Sequence, residues 1–191
     1  MVIPYLALLA LVGIERLVEL RISRANARAA LENGGIERGQ RHFRVMKLLH
    51  TAFLIGCAVE VVLLDRPFIP ALGVAMLVLA LAAQGLRYWA IGTLGRQWTV
   101  RVIVVPGRRV VTGGPYRYLR HPNYLAVVVE GLAIPLIHSA WLTALTFTVL
   151  NGLLLWVRIR CEESALAQHC DYGQHLGARP RWLPWAPMPK E

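Results

Sequence analysis

The sequence predicts an all-α polytopic membrane protein with five transmembrane helices, of which the last two form a hairpin. Three observations lead to this prediction. The chain of 191 residues is 56% hydrophobic and only 17% charged, and its mean hydropathy is +0.47, which is unusual for a soluble domain. Apolar segments long enough to cross a bilayer alternate with polar segments. The polar segments hold most of the basic residues, as loops facing anionic lipid headgroups do.

The first half of the chain contains three predicted spans, at residues 2–20, 48–64 and 67–86. The third span is the clearest, because it has no formal charge between Arg66 and Arg87. About twenty helical residues cover the roughly 30 Å hydrocarbon core. In the first span, Glu15 and Glu19 share a helix face, and we expect them to pair with neighbouring basic residues.

Residues 123–157 carry a single formal charge, Glu130. A helix of that length would measure about 52 Å, too long for one crossing. Pro135 and the polar pair His138-Ser139 mark a turn near the middle, so two short helices are predicted, the second continuing into the cytosol. Glu130 itself is expected to be neutral, to pair with Arg87 or His50, or to point at a substrate group.

The distribution of basic residues fixes the predicted topology. Residues 21–47 carry seven Lys or Arg, residues 96–120 carry six, and residues 158–191 carry five. Five crossings with the N-terminus outside and the C-terminus inside place all three groups in the cytoplasm, whereas four crossings would place the tail outside. The predicted protein is therefore integral to a membrane, with its basic segments on the cytoplasmic side.

Two regions are expected along the chain. Residues 1–93 would form three N-terminal helices with a cytoplasmic loop. Residues 94–191 would contain, in order, a cytoplasmic connector with the cofactor-binding region, the helical hairpin, a C-terminal helix and the tail. In the connector, residues 98–105 alternate imperfectly between apolar and polar types, Pro106-Gly107 is a turn dipeptide, and residues 110–112 are the expected second strand of a small hairpin. Residues 26–41 are expected to form a polar loop or a surface helix.

Several classes of function are disfavoured. The basic residues are separated by apolar spans and do not line one face, which argues against nucleic-acid binding. The three cysteines are an odd number without paired spacing, so neither a disulfide framework nor a metal site is predicted. The N-terminus has no basic segment before its apolar run, which is typical of a retained first span and not of a signal peptide.

Polar, ionisable residues bracket the predicted hairpin. Arg120-His121-Pro122-Asn123-Tyr124 precedes its first helix, where free backbone N–H groups and the helix dipole favour an anionic ligand group. Arg158 and Glu162, one turn apart on one face, end its second helix beside Glu163. The alternatives are headgroup anchoring at the first position and ordinary ion pairing at the second. Neither position decides between these alternatives by itself.

Together these segments resemble the isoprenylcysteine carboxyl methyltransferase family of integral membrane methyltransferases, over about residues 94–184. The matching motifs, in order, are Val110-Val-Thr-Gly-Gly-Pro-Tyr116, Arg120–Tyr124, Arg158-Ile-Arg-Cys-Glu-Glu163 with Leu166, Asp171-Tyr172, and Pro180-Arg-Trp-Leu-Pro184. The resemblance implies S-adenosyl-L-methionine as the methyl donor. It implies donor contacts at Val110, Val111, Tyr116, Arg120, His121, Pro122, Asn123, Tyr124 and Glu162, and catalytic roles for Arg158 and Glu163.

The resemblance also bears on the methyl acceptor. After Tyr124 the chain lacks the Gly- and aromatic-rich stretch of eukaryotic members, and Asn123, Glu130 and the Trp98-Thr-Val-Arg segment are similar to a bacterial branch found with type III polyketide synthases. That branch O-methylates long-chain alkylpyrones or alkylresorcinols. The resemblance therefore implies a lipophilic acceptor from the bilayer, association with such a synthase, and location in the bacterial inner (plasma) membrane. Glu163 or Glu130 would be the general base for a weakly acidic hydroxyl.

Three alternatives to this function stay open. One is methylation of a prenylcysteine carboxylate, and another is methylation of phospholipid amines. The third is a small membrane scaffold or transporter subunit whose polar residues are structural. Only the enzymatic alternatives need a polar cluster confined to the cytoplasmic ends of two neighbouring helices.

Overall fold

The computed structural model describes residues 1–181, and five long helices make up most of that part of the chain. The sequence motif that ends at Pro184 therefore lies partly outside the described residues. The helices are α1 (Val2–Glu32), α2 (Gln40–Leu63), α3 (Pro70–Leu94), α4 (Pro122–Leu136) and α5 (Trp141–His169), followed by the short α6 (Tyr172–Leu176). All five predicted spans thus correspond to helices.

Within residues 1–181, three helical segments are long and apolar enough to cross a membrane, namely Gln40–Leu63, Pro70–Gln97 and Trp141–His169. The apolar α4 has only 15 residues, and α1 has 31 residues but contains Glu15, Arg16 and Glu19. The mostly helical architecture agrees with the predicted membrane fold. Five crossings remain a prediction, because α1 and α4 do not meet the same criteria of length and composition.

Apolar side chains from four helices form the main core. Tyr5 of α1, Phe53 and Cys57 of α2, Ile134 of α4 and Phe147 of α5 are all buried in it. The Tyr5 hydroxyl donates to the Ile134 carbonyl oxygen over 3.2 Å, which satisfies a polar group in an otherwise apolar cluster. The core therefore binds α1 and α2 to the helical hairpin.

The hairpin between α4 and α5 confirms the predicted turn. Residues 137–140 connect the two helices, and Ser139 has a positive φ of 57°. Pro135 lies in the last turn of α4, and its carbonyl oxygen accepts hydrogen bonds from the N–H groups of His138 and Ala140 in the turn. At Gly131, a Cβ would lie 2.4 Å from the Phe147 ring, so the two helices pack too closely there for a larger residue.

The structure is mostly helical, as predicted, but the predicted strand pair needs correction. Strand β2 (Val102–Val104) pairs antiparallel with β1 (Ile36–Arg38), with Glu37 opposite Ile103. Residues 110–112 form no strand. The segment 26–41 is neither a loop nor a separate surface helix, because α1 extends through Glu32 before β1 begins. The pairing is non-local, so the alternation of residues 98–105 did not identify its partner.

The N-terminus of α5 is capped by a carboxylate from another helix. Glu60 near the end of α2 accepts hydrogen bonds from the backbone N–H groups of Leu142 (3.0 Å) and Thr143 (2.7 Å) and from the Thr143 hydroxyl (2.8 Å). Arg66 donates to the same carboxylate over 3.0 Å. The first N–H groups of a helix have no intrahelical partner, and a negative charge there is favoured.

We expect Glu60→Ala to lower the free energy of unfolding by about 1.5–3 kcal/mol, the usual contribution of hydrogen bonds to a charged group. The substitution leaves two backbone donors of α5 and the Arg66 guanidinium without their acceptor. Thermal unfolding in detergent measures the effect, with Glu32→Gln, an exposed carboxylate at the end of α1, as the control. An unchanged midpoint for Glu60→Ala would contradict the capping role.

Candidate active site

A cavity of about 590 Å³ lies between one end of the helical bundle and the connector. Its wall is formed by residues of α1, α2 and α3, the segment around β2, the Gly-Gly-Pro-Tyr turn, the start of α4, the end of α5, and α6. Most of the predicted site residues line it, namely Val110, Val111, Tyr116, Arg120, His121, Asn123, Tyr124, Arg158 and Glu162. Residues from opposite ends of the hairpin sequence therefore meet around one space.

The connector is held over this cavity by polar side chains of α1. The Ser23 hydroxyl accepts a hydrogen bond of 2.8 Å from the Val100 N–H, and the Asn26 amide donates over 2.8 Å to the Trp98 carbonyl. Val102 and Val104 of β2 pack on Ala165 of α5. These contacts fix the backbone that forms one wall, and the sequence alone had not indicated that α1 takes part.

Arg158, Tyr124 and Glu162 form a chain of hydrogen bonds on the cavity wall. The Arg158 Nε donates to the Tyr124 hydroxyl over 2.8 Å, and that hydroxyl donates in turn to Glu162. Arg158 also donates to the Val100 carbonyl, and its guanidinium carbon lies 5.7 Å from the centre of the Tyr124 ring. Because Arg158 is only 3% exposed, its charge is held in a defined orientation with little competing water.

The Gly113-Gly114 turn brings Tyr116 to the cavity. Gly114 has a φ of 54°, and a Cβ on it would lie 2.3 Å from the Thr93 hydroxyl oxygen, so both the backbone conformation and the packing require glycine. The following 3₁₀ turn (Gly114–Arg117) buries the Tyr116 ring. Burial, together with the nearby Glu162 charge, raises the pKa of the Tyr116 hydroxyl. The hydroxyl therefore stays protonated at neutral pH and can donate a hydrogen bond.

His121 precedes α4 and contacts residues on both sides of the site. Its ring stacks on the Tyr124 ring with centroids 5.3 Å apart, and its Nε2 lies 3.1 Å from a Glu163 oxygen. Arg120 donates to the carbonyl oxygens of Arg179 and Gly177. The motif before α4 therefore fixes the segment that follows α6 against the cavity, a function that the sequence did not reveal.

Two of the predicted site residues, Glu163 (predicted as catalytic) and Pro122 (predicted as a donor contact), are not among the residues that line the cavity. The Glu163 carboxylate is bound by His121, by the Tyr172 hydroxyl (3.2 Å) and by the Arg181 guanidinium (3.0 Å). Neighbouring residues of an α-helix point about 100° apart, so Glu163 cannot share the face of Glu162. Pro122 is fully buried at the first turn of α4, where it begins the helix and presents no surface to a ligand. The proposed role of Glu163 as a general base thus has no geometric support.

A buried ion network lies deeper along the same wall. Arg87 of α3 binds Glu19 of α1 through two hydrogen bonds of 2.8 and 3.0 Å, and it lies 3.3 Å from Glu130 of α4. Arg16 reaches Glu19 at 2.8 Å and Glu130 at 3.1 Å. Of the alternatives for Glu130, pairing with Arg87 is therefore observed. Charged groups inside apolar spans indicated the network, but only the structure shows which helices it joins.

The residues around the cavity fit the donor that the sequence resemblance implies. The Asn123 side-chain oxygen is buried and has no hydrogen-bond partner among residues 1–181, and Asn123 lines the cavity. Such an acceptor suits an amino group of S-adenosylmethionine, as does the Glu162 carboxylate. Within the described residues there is no group of three or more His, Cys, Asp or Glu side chains that could hold a metal ion.

Comparison with known proteins identifies one family and two relatives of similar length. The profile described as the isoprenylcysteine carboxyl methyltransferase (ICMT) family matches residues 75–168. The uncharacterized protein YpbQ of Bacillus subtilis (strain 168) is 37% identical over 163 residues, which cover 85% of this chain and 96% of that protein. An uncharacterized protein of Haemophilus influenzae is 30% identical over 155 residues, covering 80% of this chain and 88% of the relative.

A solved structure shares the fold. The eukaryotic intramembrane Ras methyltransferase ICMT (isoprenylcysteine carboxyl methyltransferase) superposes with a TM-score of 0.50 at 24% identity. The alignment covers 74% of this chain but only 53% of that one, so the chain spans about half the length of the eukaryotic protein. At this level of identity the likeness is one of fold.

Proposed function

Since the chain belongs to the isoprenylcysteine carboxyl methyltransferase family, we propose that it is an S-adenosylmethionine-dependent O-methyltransferase that acts on a lipophilic acceptor at the membrane. Family members are methyltransferases, and the apolar helices make the chain an integral membrane protein. The observation that carries the proposal is the shared cavity. Tyr116 and His121 lie on the same cavity as Arg158 and Glu162, as a two-substrate site requires.

The residues divide by position into a donor group and an acceptor group. The methyl donor would be held by Tyr116, His121, Asn123 and Glu162. These side chains can donate and accept hydrogen bonds, and the start of α4 adds free backbone N–H groups. When bound, S-adenosylmethionine supplies an electrophilic methyl group on a sulfonium. Val110 and Val111 add apolar surface at the same wall. The chain's own contribution is to align the acceptor oxygen with that methyl group, because alignment lowers the barrier of an in-line displacement.

Arg158 would orient the acceptor oxygen and stabilise its negative charge. Its guanidinium is fixed by Tyr124 and Val100, so it needs no rearrangement when charge develops beside it. A pyrone enol or a carboxylate is already anionic at neutral pH and requires no strong base. For such acceptors, the arginine and the exclusion of water are sufficient catalytic elements.

We propose a long-chain alkylpyrone or alkylresorcinol as the acceptor, supplied by an associated type III polyketide synthase. The alternative acceptor is the isoprenylcysteine carboxylate after which the family is named. The residues around Arg158 are compatible with both kinds of acceptor. An acceptor of either kind would come sideways from the bilayer between α1 and α2. Leu17 and Ile55 support this route, because both line the cavity and both are largely exposed on the outside of the bundle.

The same proposal includes the topology. With α1 and α4 crossing alongside α2, α3 and α5, the N-terminus lies outside and the cavity opens at the cytoplasmic side of a bacterial inner membrane, where the donor is available. Residues 94–191 would then act as the methyltransferase core and residues 1–93 as the membrane-embedded wall for the acceptor. The basic segments at residues 21–47 and 96–120 face the same side in this arrangement.

Purified protein in nanodiscs should transfer label from methyl-labelled S-adenosylmethionine to an alkylpyrone or alkylresorcinol added with lipid extract. Mass spectrometry of the labelled product identifies the acceptor, and a prenylcysteine peptide and a phosphatidylethanolamine serve as the competing acceptors. Label in the prenylcysteine product alone would replace the proposed acceptor with the alternative one. Absence of both transfer and S-adenosylhomocysteine binding would favour a scaffold protein.

A further inference from the structure

A small chamber of about 30 Å³ adjoins the large cavity at the level of the buried ion network. The two spaces share lining from Arg16, His50, Leu54, Arg87 and Val127. The volume is enough for one or two groups the size of water and too small for a ring or an alkyl chain. It is therefore suited to a single polar substituent of a ligand whose body lies in the large cavity.

Two polar atoms in this chamber are available as hydrogen-bond acceptors. The Nδ1 of His50 lies 2.9 Å from the Met46 carbonyl oxygen. A carbonyl can only accept, so Nδ1 carries the hydrogen and Nε2 presents a lone pair in the neutral ring. The Oε1 atom of Glu130 is buried and has no partner among residues 1–181, while its Oε2 is bound by Arg16 and Arg87.

A buried acceptor is stabilised by a ligand that brings a hydrogen-bond donor. A hydroxyl group meets this requirement, whereas a carboxylate has no hydrogen to donate and would be repelled by Glu130. The two positive charges of the network, on Arg16 and Arg87, are already matched by the carboxylates of Glu15, Glu19 and Glu130. Binding of a neutral hydroxyl leaves that balance unchanged, and binding of an anion would disturb it.

We propose that His50 and Glu130 form the subsite for the acceptor's hydroxyl group, and that His50 Nε2 receives its proton. The inference rests on the proposed function. As the O–H bond breaks, its proton moves to Nε2, and the acceptor oxygen forms a bond to the methyl carbon. The bond from that carbon to the donor sulfur breaks, and its electron pair stays on sulfur as the thioether. The imidazolium then releases the proton to water.

The position of His50 on the helix supports this role. Phe147 packs edge-on against its ring with centroids 5.2 Å apart. The hydrogen bond from Nδ1 to the Met46 carbonyl oxygen fixes the rotation of the ring. These two contacts together fix the direction in which Nε2 points. The ionisable groups that line the small chamber itself are Arg16 on α1, His50 on α2, Arg87 on α3 and Glu130 on α4. The adjoining large cavity also presents Glu19, Lys47, His121, Arg158 and Glu162 among its ionisable groups. Within the chamber, the two arginines hold their protons and Glu130 is engaged by both of them, which leaves His50 as the group there that is able to take a proton.

Two acceptors of different acidity test the proposal. A long-chain alkylresorcinol has a protonated hydroxyl at neutral pH, whereas the matching 4-hydroxy-2-pyrone is an acidic enol that is already ionised. We expect His50→Phe, which keeps an aromatic ring against Phe147, to lower transfer to the resorcinol by about 10²-fold, the usual contribution of a general base. Transfer to the pyrone should change by only a few-fold, and so should S-adenosylhomocysteine affinity measured by titration calorimetry.

The pH profile gives a second measurement. For the wild type, kcat/KM with the resorcinol should fall on the acid side as His50 is protonated, and His50→Phe should lose that dependence. His175→Phe is the matched control, because His175 is exposed on α6 and lies outside both spaces. If His50→Phe does not fold, His50→Gln decides the question. Its amide can accept a hydrogen bond but not a proton, so kcat should fall while KM stays near the wild-type value.

Equal losses for the two acceptors, or a wild-type rate for His50→Phe with the resorcinol, would overturn this assignment and leave the methyltransferase function intact. Transfer by the wild type to a prenylcysteine carboxylate alone would also overturn it. If the wild type binds no S-adenosylhomocysteine and methylates none of these acceptors, the proposed function itself fails, which the calorimetry distinguishes from failure of the His50 assignment.

Discussion

Replacing Arg158 with alanine should lower kcat for methyl transfer by about 10²–10³-fold, the loss typical when a preorganised charge that stabilises an oxyanion is removed. Arg158 is buried at the cavity and is oriented by the Tyr124 hydroxyl and the Val100 carbonyl. The acceptor oxygen would lose the positive charge that fixes it beside the donor. Donor affinity should change far less, because Tyr116, His121 and Asn123 stay in place.

Two further variants separate charge from geometry. Arg158→Lys keeps the positive charge but cannot reproduce a planar guanidinium that contacts Tyr124 and Val100 together, so we expect an intermediate rate. Arg160→Ala removes an exposed arginine two residues along α5 and should leave the rate unchanged. Turnover is followed with labelled donor, and folding with thermal unfolding and S-adenosylhomocysteine binding. A variant Arg158→Ala that loses donor binding but keeps turnover at saturating donor would refute the assigned role.

The general architecture could be predicted because apolar length and charge placement are local properties of the sequence. The thirty-five residues from 123 to 157 were too long for one span, and His138-Ser139 supplied the turn that the structure has. The same reasoning failed for the connector. Strand β2 pairs with residues 36–38, more than sixty positions earlier, and a three-residue strand carries too little periodicity to identify a distant partner.

The directions of the site's side chains could be predicted where two residues share a helix face. They could not be predicted where they depend on the rotation of a helix about its own axis. Arg158 and Glu162 are four residues apart, so they had to point to the same side, and both line the cavity. The rotation of α5 about its axis, set by packing against α4, decides that Glu162 faces the cavity and Glu163 faces His121. Likewise, the charges of Arg16, Glu19, Arg87 and Glu130 were visible in the sequence, but their pairing depends on how three helices pack.

The second large effect concerns donor binding. We expect His121→Ala to weaken S-adenosylhomocysteine binding by roughly 10- to 100-fold, which corresponds to about 1.5–3 kcal/mol for lost hydrogen bonds to charged groups. His121 lines the cavity, stacks on Tyr124 and lies 3.1 Å from Glu163. Its removal would free the Tyr124 ring and the segment after α6, and both form part of the wall that would hold the donor.

Glu163→Gln tests whether Glu163 acts through His121 or directly on the acceptor. Its carboxylate is bound by His121, Tyr172 and Arg181, and burial together with the Glu163 charge raises the pKa of the Tyr172 hydroxyl, which therefore donates at neutral pH. A glutamine keeps one acceptor oxygen for these donors, so donor affinity should fall less than in His121→Ala and kcat should stay near wild type. Calorimetry and turnover at saturating donor measure the two effects. Equal donor affinity for wild type and His121→Ala would remove His121 from the site, and a large loss of kcat in Glu163→Gln with unchanged affinity would restore Glu163 as a catalytic base.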